Sequence, residues 1–150
     1  MDSGLGEGNY RAIINITSED FLNLAGTETE SLNAFLLSFD QELGEILGAW
    51  IRFGWANDDA ARDWQSLYSG GINIKGSGWQ RPDDTIGIGY GFLDGGNMEI
   101  DNTQVFETYY RYVVNEFLAA SANIQYMKDS IEVSGDTDGW VFGGRLTAEI

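Results

Sequence analysis

Four of the six arginines in this sequence, Arg11, Arg52, Arg111 and Arg145, stand inside segments where apolar and polar residues alternate. Each falls on the polar side of that alternation, in the company of Asp40, Glu42, Glu107 and Glu149. Guanidinium and carboxylate groups on one face can pair with each other, hydrogen-bond a polyhydroxylated solute, or line a water-filled wall. Catalysis is a poor account of them. With no histidine and no cysteine, neither a Ser-His nor a Cys-His nucleophile can be assembled. A glycosidase needs two carboxylates flanking a sugar, and no spacing selects Glu107 with Asp40 or Glu42. Gly87-Ile-Gly-Tyr-Gly91 lacks the lysine and the following helix of a phosphate loop. Asp136-Thr-Asp-Gly139 lacks the ligand spacing of an EF-hand. No catalytic residue, cofactor or metal is expected.

The elements that must carry these groups are strands. Twenty glycines, five Trp, seven Tyr and eight Phe against a single proline suit long pleated segments, because proline interrupts the ladder and aromatics favour it. The 24 acids against 8 bases, a net charge of −16, exclude a nucleic-acid partner and docking on anionic lipid through a basic patch. No run of about 18 apolar residues offers a transmembrane helix, a statement that leaves barrel strands untouched. The opening Met1-Asp-Ser-Gly-Leu-Gly-Glu-Gly has neither region of a secretory signal, so a protein that reaches the outer membrane is expected to contain this chain as a piece of something longer.

Period-two alternation predicts about eight strands, at 9–17, 33–43, 46–56, 64–75, 84–94, 104–114, 117–128 and 139–150. Many reach about ten residues, the length a tilted strand needs to cross a bilayer. The predicted connections alternate. Leu43–Ile46, Gly76–Asp83 and Val114–Phe117 are turns; 18–32, 57–63, 95–103 and 129–138 are longer, polar and rich in acids. All turns then lie at one end of the sheet and all loops at the other, the asymmetry of outer-membrane barrels. The bland reading of the loop acids is solvation.

Side-chain parity sorts the faces. Leu47, Ala49, Ile51, Phe53 and Trp55 oppose Gly48, Trp50, Arg52 and Gly54; Phe35, Leu37 and Phe39 oppose Ser38, Asp40 and Glu42. Phe106, Tyr110 and Tyr112 oppose Glu107, Tyr109 and Arg111, while Ile124 and Tyr126 oppose Ser121, Asn123 and Gln125. Tyr10, Trp55, Tyr68, Tyr112, Tyr126 and Trp140 fall on the apolar side near strand ends, where lipid-interface girdles place such residues. Leu36 and Trp50 on the polar side, and Gln41 and Thr108 on the apolar side, break the pattern. A soluble β-sandwich shows the same alternation with its apolar face turned inward.

From about residue 8 onward the chain resembles the carbohydrate-selective porins of the OprB family, in their C-terminal part. The resemblance is carried by Gly8-Asn-Tyr10, by Ser38-Phe-Asp-Gln-Glu-Leu-Gly44 running into Gly48-Ala-Trp-Ile-Arg-Phe-Gly-Trp-Ala56, and by the turn ending Arg81-Pro-Asp-Asp84 before Ile86-Gly-Ile-Gly-Tyr90. Glu107-Thr-Tyr-Tyr-Arg111, Asn123-Ile-Gln-Tyr126 and Gly143-Gly-Arg-Leu146 complete it. No one motif is specific, but their order and spacing are.

The resemblance implies an all-β, antiparallel up-and-down transmembrane barrel in the outer membrane of a Gram-negative bacterium, conducting sugars by passive diffusion. By that analogy Arg52, Glu107, Arg111 and Arg145 belong on the channel wall. Asp40, Glu42 and Asn123 share their face, and Trp50 and Tyr109 offer surfaces on which the C–H face of a sugar stacks. The implied partners are the transported sugar, outer-membrane lipid and upstream strands of the same barrel, with a homo-oligomer compatible. The whole chain reads as one barrel region. The family's chains are longer and commonly end in an aromatic, whereas Ile150 ends this one. A free-standing eight-stranded barrel serving as an anchor, its arginines paired inside a packed plug, and a soluble carbohydrate-binding β-sandwich are the competing readings.

Overall fold

A computed structural model describes residues 5–18 and 21–148. The expected end of the last strand, including Glu149 and Ile150, lies outside the described residues, as do Glu19 and Asp20. The strands are β1 (Leu5–Ile16), β2 (Phe21–Leu22), β3 (Thr29–Glu30), β4 (Asn33–Leu43), β5 (Leu47–Ala56), β6 (Trp64–Lys75), β7 (Thr85–Gly95), β8 (Ile100–Asn115), β9 (Leu118–Ile131) and β10 (Thr137–Ala148). Eight of them form one antiparallel sheet in the order β1-β4-β5-β6-β7-β8-β9-β10, and β2 and β3 make a small separate hairpin. Every neighbour in the large sheet is the next long strand along the chain, the up-and-down arrangement expected. The sheet is open, with β1 and β10 as its edges.

The pairing preserves the predicted faces from edge to edge. Tyr10 faces Phe39, Phe39 faces Ile51, Phe53 faces Tyr68, Tyr68 faces Phe92 and Phe106 faces Tyr126. A slip of one residue in mid-strand would invert everything beyond it; the register shifts only near strand ends, at Leu5/Gly8, Trp64/Ser66, Ile100/Asn102 and Val113/Asn115. The apolar face is tied by cross-strand aromatic contacts, Tyr10–Phe39 at 5.9 Å, Phe53–Tyr68 at 6.1 Å and Tyr126–Trp140 at 5.0 Å between ring centres, contacts that add stability beyond the area they bury.

Among the described residues no second sheet or helix packs on that face. Ala60 and Ala119 are the only buried hydrophobic residues among those described, while Ile14 is 71% exposed, Phe142 73% and Leu146 71%. A soluble β-sandwich buries this face under a second sheet; none covers it here. The two polar exceptions named from the sequence are satisfied within the sheet. Thr108 donates its hydroxyl to the Gly87 carbonyl at 3.1 Å. Gln41 accepts a bond from the Tyr10 hydroxyl and donates to the Gly6 carbonyl at 3.0 Å. Internal pairing of this kind is what a face without water demands.

The connections differ from the strict short-long rhythm. β8 and β9 run further than expected, so β7 and β8 are joined only through 96–99, and the expected loop 95–103 is largely strand. Ile100, Asn102 and Thr103 stay in register with Ile131, Ser130 and Asp129, across one irregularity. At the opposite end the longest turn, 76–84, contains a 3-10 segment at Gly76–Trp79. Its hub is Asp84, 1% exposed. Arg81 grips the Asp84 carboxylate through Nε at 2.5 Å and Nη2 at 3.1 Å, the Tyr110 hydroxyl donates to it, and the Val113 amide donates at 2.9 Å. Arg81 also donates to the Val113 carbonyl at 2.8 Å and lies 3.9 Å above the Tyr112 ring. One buried carboxylate thereby fastens the turn to β8.

At the loop end, two asparagines knit three connections together. Asn57 donates to the Ser31 carbonyl and accepts from the Asn33 amide. Asn97 donates to the carbonyls of Asp58 and Ala60 and accepts from the Arg62 amide. The Ala61 amide reaches the carbonyl of Leu22 in β2. Burial in this layer pushes the Arg62 guanidinium below its usual range, against the pull of Asp58 and Asp59.

Candidate functional site

The polar face collects every strand arginine singled out from the sequence. On β4, Asp40 stands between two of them. Arg11 on β1 reaches its Oδ2 at 3.3 Å, and Arg52 on β5 reaches its Oδ1 at 3.2 Å. All three side chains are one-third exposed or more, so the pairs contribute at most about 1 kcal/mol each to stability. Their consequence is positional: two guanidiniums and one carboxylate are held in a row that presents unused donors to solvent.

Arg52 also lies 4.5 Å above the Trp50 ring. The indole is laid flat across the neighbouring strands, and the reason is local. Trp50 faces Gly71 on β6, and Gly71 faces Gly89 on β7. A Cβ at Gly71 would lie 2.8 Å from the ring and one at Gly89 3.1 Å from it. Two adjacent residues without side chains leave the floor on which the ring rests. Tyr109 repeats the device from the other direction. Coming from β8, its ring covers Gly87, where a methyl group would overlap it, and its hydroxyl donates to Asn73 Oδ1 on β6 at 3.1 Å. The glycines within 85–91, a false phosphate-loop signal in the sequence, are the bed for these two rings.

Trp50 and Tyr109 thus converge on β6 and β7 and bound a concavity of about 300 Å³, lined also by Asp40, Glu42, Asn73 and Lys75. Lys75 pairs with Glu42 at 2.8 Å across it. Lys75 and Asn73 were not singled out from the sequence. Their signal is the parity of β6, where Leu67, Ser69, Gly71, Asn73 and Lys75 share a face, but the many small residues there blur the alternation. Glu107 and Asn123 meet one row further on, with Asn123 Nδ2 donating to Glu107 Oε1 at 3.1 Å. Arg111 and Arg145 stay apart from all of these. Each faces Ser121, from β8 and from β10.

Leu36, an exception in the sequence, belongs to a row. Ile13 faces Leu36, Leu36 faces Gly54, Gly54 faces Leu67 and Leu67 faces Leu93. This aliphatic band crosses five strands of the polar face on the loop side of the arginines. Among the described residues no group of three or more His, Cys, Asp or Glu side chains is placed to hold a metal ion, and no helix is long and apolar enough to cross a membrane. The arrangement is one of fixed donors, acceptors and ring faces along a wall, with no assembled nucleophile.

The family model described as carbohydrate-selective porin, OprB family, matches residues 2–149. No curated protein and no solved structure matches the chain.

Proposed function

This chain belongs to the carbohydrate-selective porin, OprB family, and from that premise we propose that its polar face is one wall of the channel through which sugars cross the outer membrane of a Gram-negative bacterium by passive diffusion. The observation that carries the reading is the register, which shifts only near strand ends and gathers Arg11, Arg52, Arg111, Arg145, Asp40, Glu42 and Glu107 on one face, leaving the other largely apolar. Lipid is the partner for the apolar face. Water and solute pass along the polar one. The open edges of the sheet are closed by further strands of the barrel, and residues 1–150 act as a single region of it.

The site residues divide by chemistry. Trp50 and Tyr109 stack on the C–H face of a sugar ring. Arg52, Arg11 and Asp40 exchange hydrogen bonds with hydroxyls, as do Glu42, Glu107 and Asn123. Binding at such a place stays weak, so the solute leaves as readily as it enters. Nothing in this wall needs to be an enzyme.

The test is conductance across a planar bilayer with sugars added to one side. The protein conducts, and sugars reduce the current in a saturable manner; a current indifferent to every sugar would sink the reading. In the Trp50→Ala variant the channel stays open while half-block needs about fivefold more sugar, the loss of about 1 kcal/mol of ring contact. Unchanged block in that variant removes Trp50 from the binding surface.

A further inference from the structure

Charges on the polar face are mostly committed. Arg11 and Arg52 share Asp40, and Lys75 holds Glu42; elsewhere Arg81 holds Asp84 and Lys128 holds Asp136. Arg111 and Arg145 are the two cations on that face without such a partner: neither has an acid within 4.0 Å among the described residues. They face the two sides of Ser121, so their backbones lie two strand spacings apart, about 10 Å. Arginine side chains are long enough to close that distance on one anion over the Ser121 hydroxyl. On the turn side of Arg111 opens a concavity of about 390 Å³, lined by Asn115, Thr147, Asp83 and Glu116 among others.

We propose that this corner of the wall is a subsite for a sugar carboxylate, so that the channel favours polyhydroxy acids, uronates and aldonates, over neutral sugars of the same size. The inference rests on the channel reading and adds a ligand class to it. A guanidinium fork matches a carboxylate bidentately, in a way no hydroxyl does. Asp83 and Glu116 accept hydroxyl protons, and Asn115 and Thr147 serve either role. A small inorganic anion uses only the arginines, and a neutral sugar uses only the acceptors. A sugar acid uses both.

The net charge of −16 does not defeat this. The acids Asp58, Asp59 and Asp63 lie at the opposite end of the strands, about 30 Å away at 3.3 Å per residue, against a screening length of about 8 Å at physiological salt. The repulsion from the acids lining the concavity, Asp83 and Glu116, is opposed by the two guanidiniums.

The test measures binding of galacturonate and of galactose to the detergent-solubilised protein by calorimetry, in wild type and in R111Q/R145Q. We expect the acid to bind about tenfold more tightly than the neutral sugar, the preference to vanish in the double variant, and galactose binding to persist there as the sign of a folded protein. In wild type the preference also shrinks as salt rises, a measurement that needs no variant. Equal binding of the two sugars, a preference that survives R111Q/R145Q, or one indifferent to salt overturns the proposal. Bilayer conductance is scored separately: a silent bilayer sinks the channel reading while a salt-sensitive uronate preference still stands.

Discussion

Replacing Asp84 with Asn is expected to cost the protein a large part of its resistance to unfolding, on the order of tenfold or more in the folding equilibrium. The carboxylate accepts from two N–H groups on one edge of the Arg81 guanidinium, from the Tyr110 hydroxyl and from the Val113 amide, and it is all but sealed from water. Asn keeps the shape but loses the charge and offers one acceptor oxygen in place of two. The buried donors around it are then left short of partners.

The same contacts set a pH signature. Arg81 first, then the Tyr110 hydroxyl and the Val113 amide, hold the Asp84 carboxyl well below the usual carboxylate range. A carboxyl depressed in the folded state contributes its full stability above its unfolded pKa of about 4, and loses that contribution as pH falls through the depressed value. Urea midpoints of wild type and D84N, taken at pH 7 and at pH 3, check this. The difference between the two proteins should be largest at pH 7 and narrower at pH 3. A constant difference would remove the charge from the account and leave only shape.

The second large effect is expected from a single methyl group. In Gly71→Ala the new Cβ meets the Trp50 ring at 2.8 Å and presses still more closely on the Ile88 carbonyl. β6 is paired on both sides, so the backbone has no free direction in which to retreat, and overpacking of this sort costs about 1–3 kcal/mol. The indole must lift from its bed. We therefore expect a lowered urea midpoint together with weaker block by sugar, the second effect matching that of Trp50→Ala. Gly144→Ala is the control: its Cβ would stand 4.0 Å from the nearest atom, the Ser121 carbonyl oxygen, and should change neither measurement. Equal behaviour of the two variants would refute the account of the glycine bed.

The faces of the sheet were legible from side-chain parity because each strand repeats it over ten or so residues, and the register then has no freedom to invert it. Trp50 looked like an error in that parity; it is the residue with the most specific seat on the wall. Leu36 looked like another, and only pairing reveals that Ile13, Leu67 and Leu93 continue its row. What stayed hidden depends on contacts between segments distant in the chain. The Asn57 and Asn97 bonds join loops 24 to 39 residues apart, and no local pattern encodes such partners. The hairpin of β2 and β3 is too short to raise a period. At the turn, an Arg followed by two acids announces an ion pair. The choice of Asp84 over Asp83 follows from Asp84 sharing a face with Tyr110, which becomes visible only once β7 and β8 are aligned.

The sheet begins and ends at the same rim. Leu5 opens β1 and Ala148 closes β10 at the end that carries the turns, since eight alternating strands return the chain to its starting side. Parity of this kind makes the unit modular. It can be joined in tandem to other even-numbered runs of strands without turning any of them upside down in the membrane, and a barrel can widen by hairpins with every loop still on its proper side. The cost falls on the two seams, where unpaired amides in hydrocarbon each carry a penalty of several kcal/mol until another strand meets them. Each edge strand is already paired along one side, β1 with β4 and β10 with β9; in the proposed barrel closure supplies the second ladder, and mutations there should be felt as slow insertion before they are felt as poor transport.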